Sequence, residues 1–163
     1  MSQKPLNILV LCTGNSCRSV LGEALFNHLS QGRYKAFSAG SHPIGRINAG
    51  ALATLARHGL PTEGYRSQSW DEFEDANIDI LISVCDSAAG EACPVYLGKA
   101  TRGHWGLSDP GHVQGSPEEI EAAFEATYAT LEKRIQQLLA LPVETMDKAE
   151  LAAALNKIGA ETH

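Results

Sequence analysis

A cysteine and an arginine six positions apart, Cys12 and Arg18, are the residues of this chain best suited to chemistry. A thiol held where the local potential is positive favours its thiolate, the nucleophilic form. A guanidinium that returns over a short loop can clamp a tetrahedral oxyanion with paired donors. Between the two lie Thr13, Gly14, Asn15, Ser16 and Cys17, and Ser19 follows. Five residues suffice to wrap an anion while the arginine closes the ring, which accounts for the Cys-x5-Arg spacing. The bare pattern is weak, and its flanks give it weight. Ile8 to Leu11 is an apolar run that reads as a buried strand. From Ser19 onward Val20, Leu21, Ala24, Leu25 and Leu29 recur at helical spacing. A strand, a loop with Gly and Asn, and a helix N-terminus together make an anion cradle, where inward amides and the helix dipole supply partial positive charge. The expected oxyanion-binding residues are Thr13, Gly14, Asn15, Ser16, Cys17, Arg18 and Ser19. Ser19 can donate a hydrogen bond to the Cys12 thiolate, and Asn15 tolerates the left-handed backbone such a loop needs. The plain alternative is an inert buried cysteine that ends a core strand.

Periodicity supplies the elements that would hold this loop. The first helix runs from about Val20 to Gln31, and Tyr34 to Ala39 reads as a second strand. Asn48 to His58 is helical with Gly59 as its stop, so the chain opens β-α-β-α. Pro61 to Ser69 is a polar connector, and Asp71 to Ala76 a short helix with Trp70 and Phe73 packing inward. Asp79 to Val84 reads as a third buried strand ending at Cys85, and Lys99 to Trp105 as a fourth. Pro117 opens a long amphipathic helix to about Leu141. Asp147 to Ile158 reads as one more short helix, partly loose, able to pack on the body or to bind a partner. Strands alternating with helices imply a parallel sheet with right-handed crossovers and helices on both faces, a three-layer α/β sandwich around four strands. Active sites of such sheets lie at strand carboxyl ends. Cys12, Cys85 and the loop after the fourth strand all leave such ends, so they can meet.

Three segments carry a family resemblance. Cys12-Thr-Gly-Asn-Ser-Cys-Arg-Ser19 resembles the phosphate loop of low-molecular-weight protein tyrosine phosphatases. Val84-Cys85-Asp-Ser-Ala-Ala-Gly-Glu-Ala-Cys93-Pro94 and His104-Trp-Gly-Leu-Ser-Asp-Pro110 resemble the thioredoxin-linked arsenate reductases built on that fold. The likeness spans Leu6 to about Leu141, which implies a Rossmann-like catalytic domain over 1–141 and a helical tail over 142–163 of the same domain. It implies a reduction of arsenate, with phosphate or sulfate as mimics. Cys12 is then the nucleophile, Arg18 the oxyanion clamp and Asp109 the general acid. Cys85 and Cys93 would complete a thiol relay, recycled by thioredoxin or by glutaredoxin and glutathione. The alternative within the same family is a phosphatase that uses Cys12, Arg18 and Asp109 alone. A third possibility is a non-catalytic oxyanion or thiol-redox sensor. Read without the resemblance, Asp109-Pro110 is a turn opener, Cys85 a small buried hydrophobe and Cys93 a surface thiol. Cys17 is a packing residue or a backup thiol. Some thioredoxin-linked relatives bind potassium near the phosphate loop, and Asn15, Glu23 and Ser38 match those ligands, with Ser69 where an acid is expected. Glu23 can instead face the loop from the first turn of its helix.

Composition narrows the partners. The chain has 163 residues, 44% hydrophobic and 20% charged, which is enough for one domain with a real core. A formal net charge of −6 argues against a nucleic-acid surface, so an anionic substrate must be drawn by the local cradle. Met1 to Asn7 is short and polar for a signal peptide, and no apolar run approaches a membrane span. The expectation is a cytoplasmic, non-membrane protein with reduced cysteines. His28, His42, His58, His104, His112 and His163 show no metal-ligand spacing, so neither a transition metal nor a cofactor is expected; His104 should end a strand and pack.

Overall fold

The computed structural model describes residues 6–12, 18–40, 45–65, 67–73, 78–84, 100–106 and 114–161. Four strands, β1 (Leu6–Leu11), β2 (Tyr34–Ala39), β3 (Ile80–Ser83) and β4 (Thr101–His104), form one parallel sheet in the order β2-β1-β3-β4. The two central strands carry unbroken apolar runs because both their faces are covered: Ile8 to Leu11 and Ile80 to Ser83 are all buried. The edge strands β2 and β4 alternate buried with more exposed residues. Tyr34 meets Phe26 edge-on on one face, while Phe37 meets Phe73 on the other, with ring centroids 6.2 and 5.3 Å apart.

Helix α1 (Arg18–Leu29) covers the Tyr34 face and starts two residues earlier than the apolar pattern suggests. It stops at Leu29 because Gln31 and Gly32 take positive φ, 52° and 90°. Gly22 lets it press on β1, since a Cβ there would lie 3.0 Å from Val10 Cγ1. Helix α2 (Ala49–Arg57) is capped by Asn48, whose Oδ1 accepts from Gly50 N at 2.7 Å, and Gly59 ends it at φ 75°. The long helix α3 (Pro117–Leu139) has proline in its first turn and Ser116 as cap, the hydroxyl accepting from Glu119 N at 3.2 Å. Its buried face of Phe124, Tyr128, Leu131, Ile135 and Leu138 joins the core, and the helix packs chiefly against α1 and α2.

Two expectations change. Where a short helix is expected over Asp71 to Ala76, the described residues Trp70–Phe73 form a 3-10 turn, with Phe73 buried as expected; residues 74–77 lie outside the described residues. The tail is not loose. A 3-10 turn (Val143–Thr145) leads into α4 (Lys148–Glu161), which lays Leu151, Leu155 and Ile158 into the core against β4. Arg33 secures the α3–α4 junction by donating to the carbonyls of Leu139 (2.6 Å), at the end of α3, and Leu141 (2.7 Å), which also accepts from Val143 N at 2.9 Å. Arg33→Ala should therefore lower stability by about 2 kcal/mol, the scale of charge-assisted hydrogen bonds. A urea midpoint measurement checks this, and an unchanged midpoint would refute it. No helix among the described residues is long and apolar enough to cross a membrane.

Candidate active site

The strand order reverses between β1 and β3, so the crevice at their carboxyl ends is the topological switch point where ligands bind in open α/β sheets. Leu11 is in register with Ala39 on one side and Ser83 on the other, and Ser83 with His104, so all four strands end in one row. Cys12 is the next residue after that row. Its amide donates to Ala39 O at 3.2 Å, and Val84 N donates to Leu11 O at 2.9 Å, which fixes the strand end from both sides. Cys12 is 2% exposed.

Seven residues further on, Ser19 sits fully buried in the first turn of α1, with its Oγ 3.1 Å from Cys12 Sγ. The two ends of the intervening segment are thereby held together, with Arg18 as the first residue of the helix. The Ser19 hydroxyl can donate to the Cys12 sulfur. The expected contact between Ser19 and Cys12 is present. Thr13, Gly14, Asn15, Ser16 and Cys17 lie outside the described residues.

Behind this junction, the Glu23 carboxylate oxygen Oε1 accepts from Ser38 Oγ at 2.6 Å. Glu23 lies in the second turn of α1, not the first, and it faces β2. Burial pushes its carboxyl up to about 7 from an ordinary 4.5, against the opposing pull of the Ser38 hydrogen bonds. Burial, with Glu23 nearby, also raises Tyr65, whose hydroxyl donates to Pro61 O. Gln68 Nε2 donates to Ser38 O at 3.1 Å, a partner with no signal in the sequence. Of the oxygens that the resemblance suggests for a potassium site, the Ser38 hydroxyl donates to Glu23 and the Ser69 hydroxyl accepts from Asp71 N at 3.1 Å, while Asn15 lies outside the described residues. Among the described residues no group of three histidine, cysteine or acidic side chains could hold a metal ion.

The Glu23 shift has a consequence for stability. The folded carboxyl keeps its proton to about pH 7, while the unfolded chain releases it near 4.5. The stabilising contribution is complete below pH 4.5 and is lost as pH rises through about 7. The full loss is roughly 3 kcal/mol. Glu23→Gln should flatten the dependence of the urea midpoint on pH across that window, and an unaltered slope would refute the assignment.

Two further strand ends complete the same row. Ser83 Oγ and His104 Nδ1 are 2.9 Å apart, joining the ends of β3 and β4, and His104 ends its strand as expected. Cys85 follows Ser83 by two residues and Asp109 follows His104 by five, but Cys85, Cys93 and Asp109 lie outside the described residues.

The site is a thiol at the switch point of a four-stranded parallel sheet in an α/β protein, hydrogen-bonded to the first turn of the next helix. The chain belongs to the low molecular weight phosphotyrosine protein phosphatase family, whose model matches residues 7–153. Within that family it is 32% identical over 130 residues to an arsenate reductase of Bacillus subtilis (strain 168), covering 80% of this chain and 92% of that protein. Its fold matches the crystal structure of an arsenate reductase from Archaeoglobus fulgidus DSM 4304, with a TM-score of 0.68 and 25% identity over 82% of this chain and 99% of that one. It also matches the tyrosine phosphatase Wzb from Escherichia coli K30, solved in complex with sulphate, with a TM-score of 0.65 and 26% identity over 82% and 95% of the two chains.

Proposed function

We infer that this protein reduces arsenate to arsenite, with Cys12 as nucleophile and Cys12, Cys85 and Cys93 as a dithiol relay. The observation that carries the reading is the buried Cys12 thiol at the switch point, 3.1 Å from the Ser19 hydroxyl at the head of α1, in a chain with two further cysteines just beyond β3. The similarity to named arsenate reductases supports it. The Cys12 thiolate attacks arsenic and forms an S–As bond. An arsenate oxygen leaves as water, with its proton from Asp109. The Cys85 thiolate then attacks Cys12 Sγ, and the S–As electron pair passes to arsenic, which goes from As(V) to As(III) as arsenite departs. The Cys93 thiolate attacks the Cys12–Cys85 disulfide at Cys85 and releases Cys12 as thiolate. An external dithiol, thioredoxin in our reading, reduces the Cys85–Cys93 disulfide; glutaredoxin with glutathione is the other candidate. We place the protein in the cytoplasm, where such donors work, and assign residues 1–141 and the tail 142–163 to one domain.

The test is arsenate-dependent NADPH oxidation by the reduced protein with thioredoxin and thioredoxin reductase. Sustained oxidation supports the relay and identifies the donor. Turnover only with glutathione and glutaredoxin keeps the reduction and changes the donor. A second reading, phosphatase action through Cys12, Arg18 and Asp109, is favoured by the sulphate-bound tyrosine phosphatase of similar fold. Aryl phosphate hydrolysis with no arsenate reduction by either donor would establish it instead.

A further inference from the structure

A cavity of about 310 Å³ opens beside the end of β4, and none of Cys12, Arg18 and Ser19 lines it. Its wall is made by His104 and Gly106 at the strand exit, Arg134 of α3, and Asn156, Gly159 and Ala160 of α4. Two strand spacings, about 10 Å, separate β4 from β1 and its thiol. The walls are fixed by bonds of their own. His104 N donates to Asn156 Oδ1 at 3.0 Å, and Asn156 Nδ2 donates to Ala152 O at 2.8 Å. A Cβ at Gly159 would collide with the His104 carbonyl, so only glycine lets α4 close this side. The cavity is therefore preformed, and filling it orders little of the protein.

Arg134 gives the cavity its character. It is 2% exposed, on the core face of α3, and its burial disfavours the charge. A leucine or methionine would pack there without the cost of desolvating a cation. Its Nη1 donates to Gly106 O and its Nη2 to Gly159 O, both at 3.3 Å. Those oxygens are neutral, and charge-assisted bonds are shorter, at about 2.7–2.9 Å. They aim the guanidinium rather than match its charge. No acidic side chain among the described residues lines the cavity, so an anion is its chemical complement. The volume selects the kind of anion. At about 30 Å³ per water the cavity holds on the order of ten waters, more than a five-atom oxyanion displaces. The rest of the wall includes Gly106, Gly159 and Ala160, whose Cα and Cβ surface suits a short carbon chain.

We propose that this cavity binds a small organic carboxylate, with the anionic group at Arg134 and the carbon chain along Gly106, Gly159 and Ala160. A planar guanidinium matches a carboxylate better than the point charge of a lysine does. The site stands apart from the Cys12 crevice and holds whichever reaction takes place there.

The experiment is a titration of the full, isotope-labelled chain with sodium butyrate, read by backbone amide NMR at fixed pH and ionic strength. Sodium phosphate is the comparison. Butyrate should shift the Gly106, Gly159 and Ala160 amides with a half-point near ~1 mM and leave Cys12 and Ser19 still. Phosphate should fill the cavity at least about tenfold more weakly than butyrate, for want of a carbon chain. Arg134→Met should weaken butyrate binding about tenfold or more, the scale of one charge-assisted hydrogen bond. Ala160 is exposed, so its variants decide the matter if Arg134→Met does not fold. Ala160→Glu sets a like charge at the cavity and should bind butyrate at least about fivefold more weakly than Ala160→Gln, which has the same size. No shift at about 50 mM butyrate would overturn the site. Phosphate held as tightly as butyrate would overturn the organic class of ligand. Butyrate shifts at Cys12 and Ser19 with the same half-point would place the anion in the crevice instead. Binding unchanged by Arg134→Met, or equal in the two Ala160 variants, would overturn the pairing with the guanidinium.

Discussion

Cys12→Ser should abolish arsenate reduction, with a loss of roughly 10⁴-fold or more, the scale on which removing a covalent nucleophile acts. Serine at this position keeps a hydroxyl where Ser19 Oγ lies 3.1 Å from the native sulfur, so the buried pair stays hydrogen-bonded and the strand end stays in place. The backbone that fixes the site is unaffected, because the contact with Ala39 is made by the residue 12 amide. What disappears is the soft nucleophile that bonds arsenic and the sulfur that accepts Cys85. Phosphate binding, read by titration calorimetry, should remain within a few-fold of native, since the helix terminus and Arg18 are intact. A Cys12→Ser protein that still releases arsenite over repeated turnovers would place the nucleophile elsewhere.

The parts of this molecule legible from sequence are those written in local pattern. β2 falls on Tyr34–Ala39 as read, and α2 begins after Asn48 and stops at Gly59, because an alternating strand, a cap and a positive-φ glycine are all short-range signals. The Cys12–Ser19 junction was legible for the same reason, as a strand, a loop and a helix in immediate succession. The 3-10 character of Trp70–Phe73 was not legible, since four residues are too few for periodicity to tell such a turn from an α-helix. The docking of α4 was one of two alternatives the tail left open, because it depends on Gly103 and Gly159, whose small size reveals nothing until their neighbours are known. Arg134 lies among the exposed charges of a long helix when read linearly, and only the packing of α4 shows that it is buried. Glu23, Ser38 and Gln68 come from three separate elements, so their shared hydrogen bonds have no imprint in spacing. Tertiary packing carried each of these, and all of them support the site rather than form its reactive centre.

Cys93→Ser should permit one turnover and then stop. Loss of Cys93 leaves the first two steps intact: Cys12 can still attack arsenic, and Cys85 can still expel arsenite by forming the Cys12–Cys85 disulfide. The resolving thiol is then absent, and the donor must attack that disulfide directly. Thiol–disulfide exchange needs access along the S–S axis. Cys12 is 2% exposed and its sulfur lies 3.1 Å from Ser19 Oγ at the head of α1, so an external dithiol is screened from it. Rapid-quench measurement with thioredoxin should therefore show a burst of about one arsenite per protein, followed by a steady rate at least ~100-fold below native. A peptide linking Cys12 to Cys85 should accumulate in non-reducing digests. Undiminished steady turnover by Cys93→Ser would mean that the donor reaches the first disulfide. The relay would then consist of two cysteines, with Cys93 outside it.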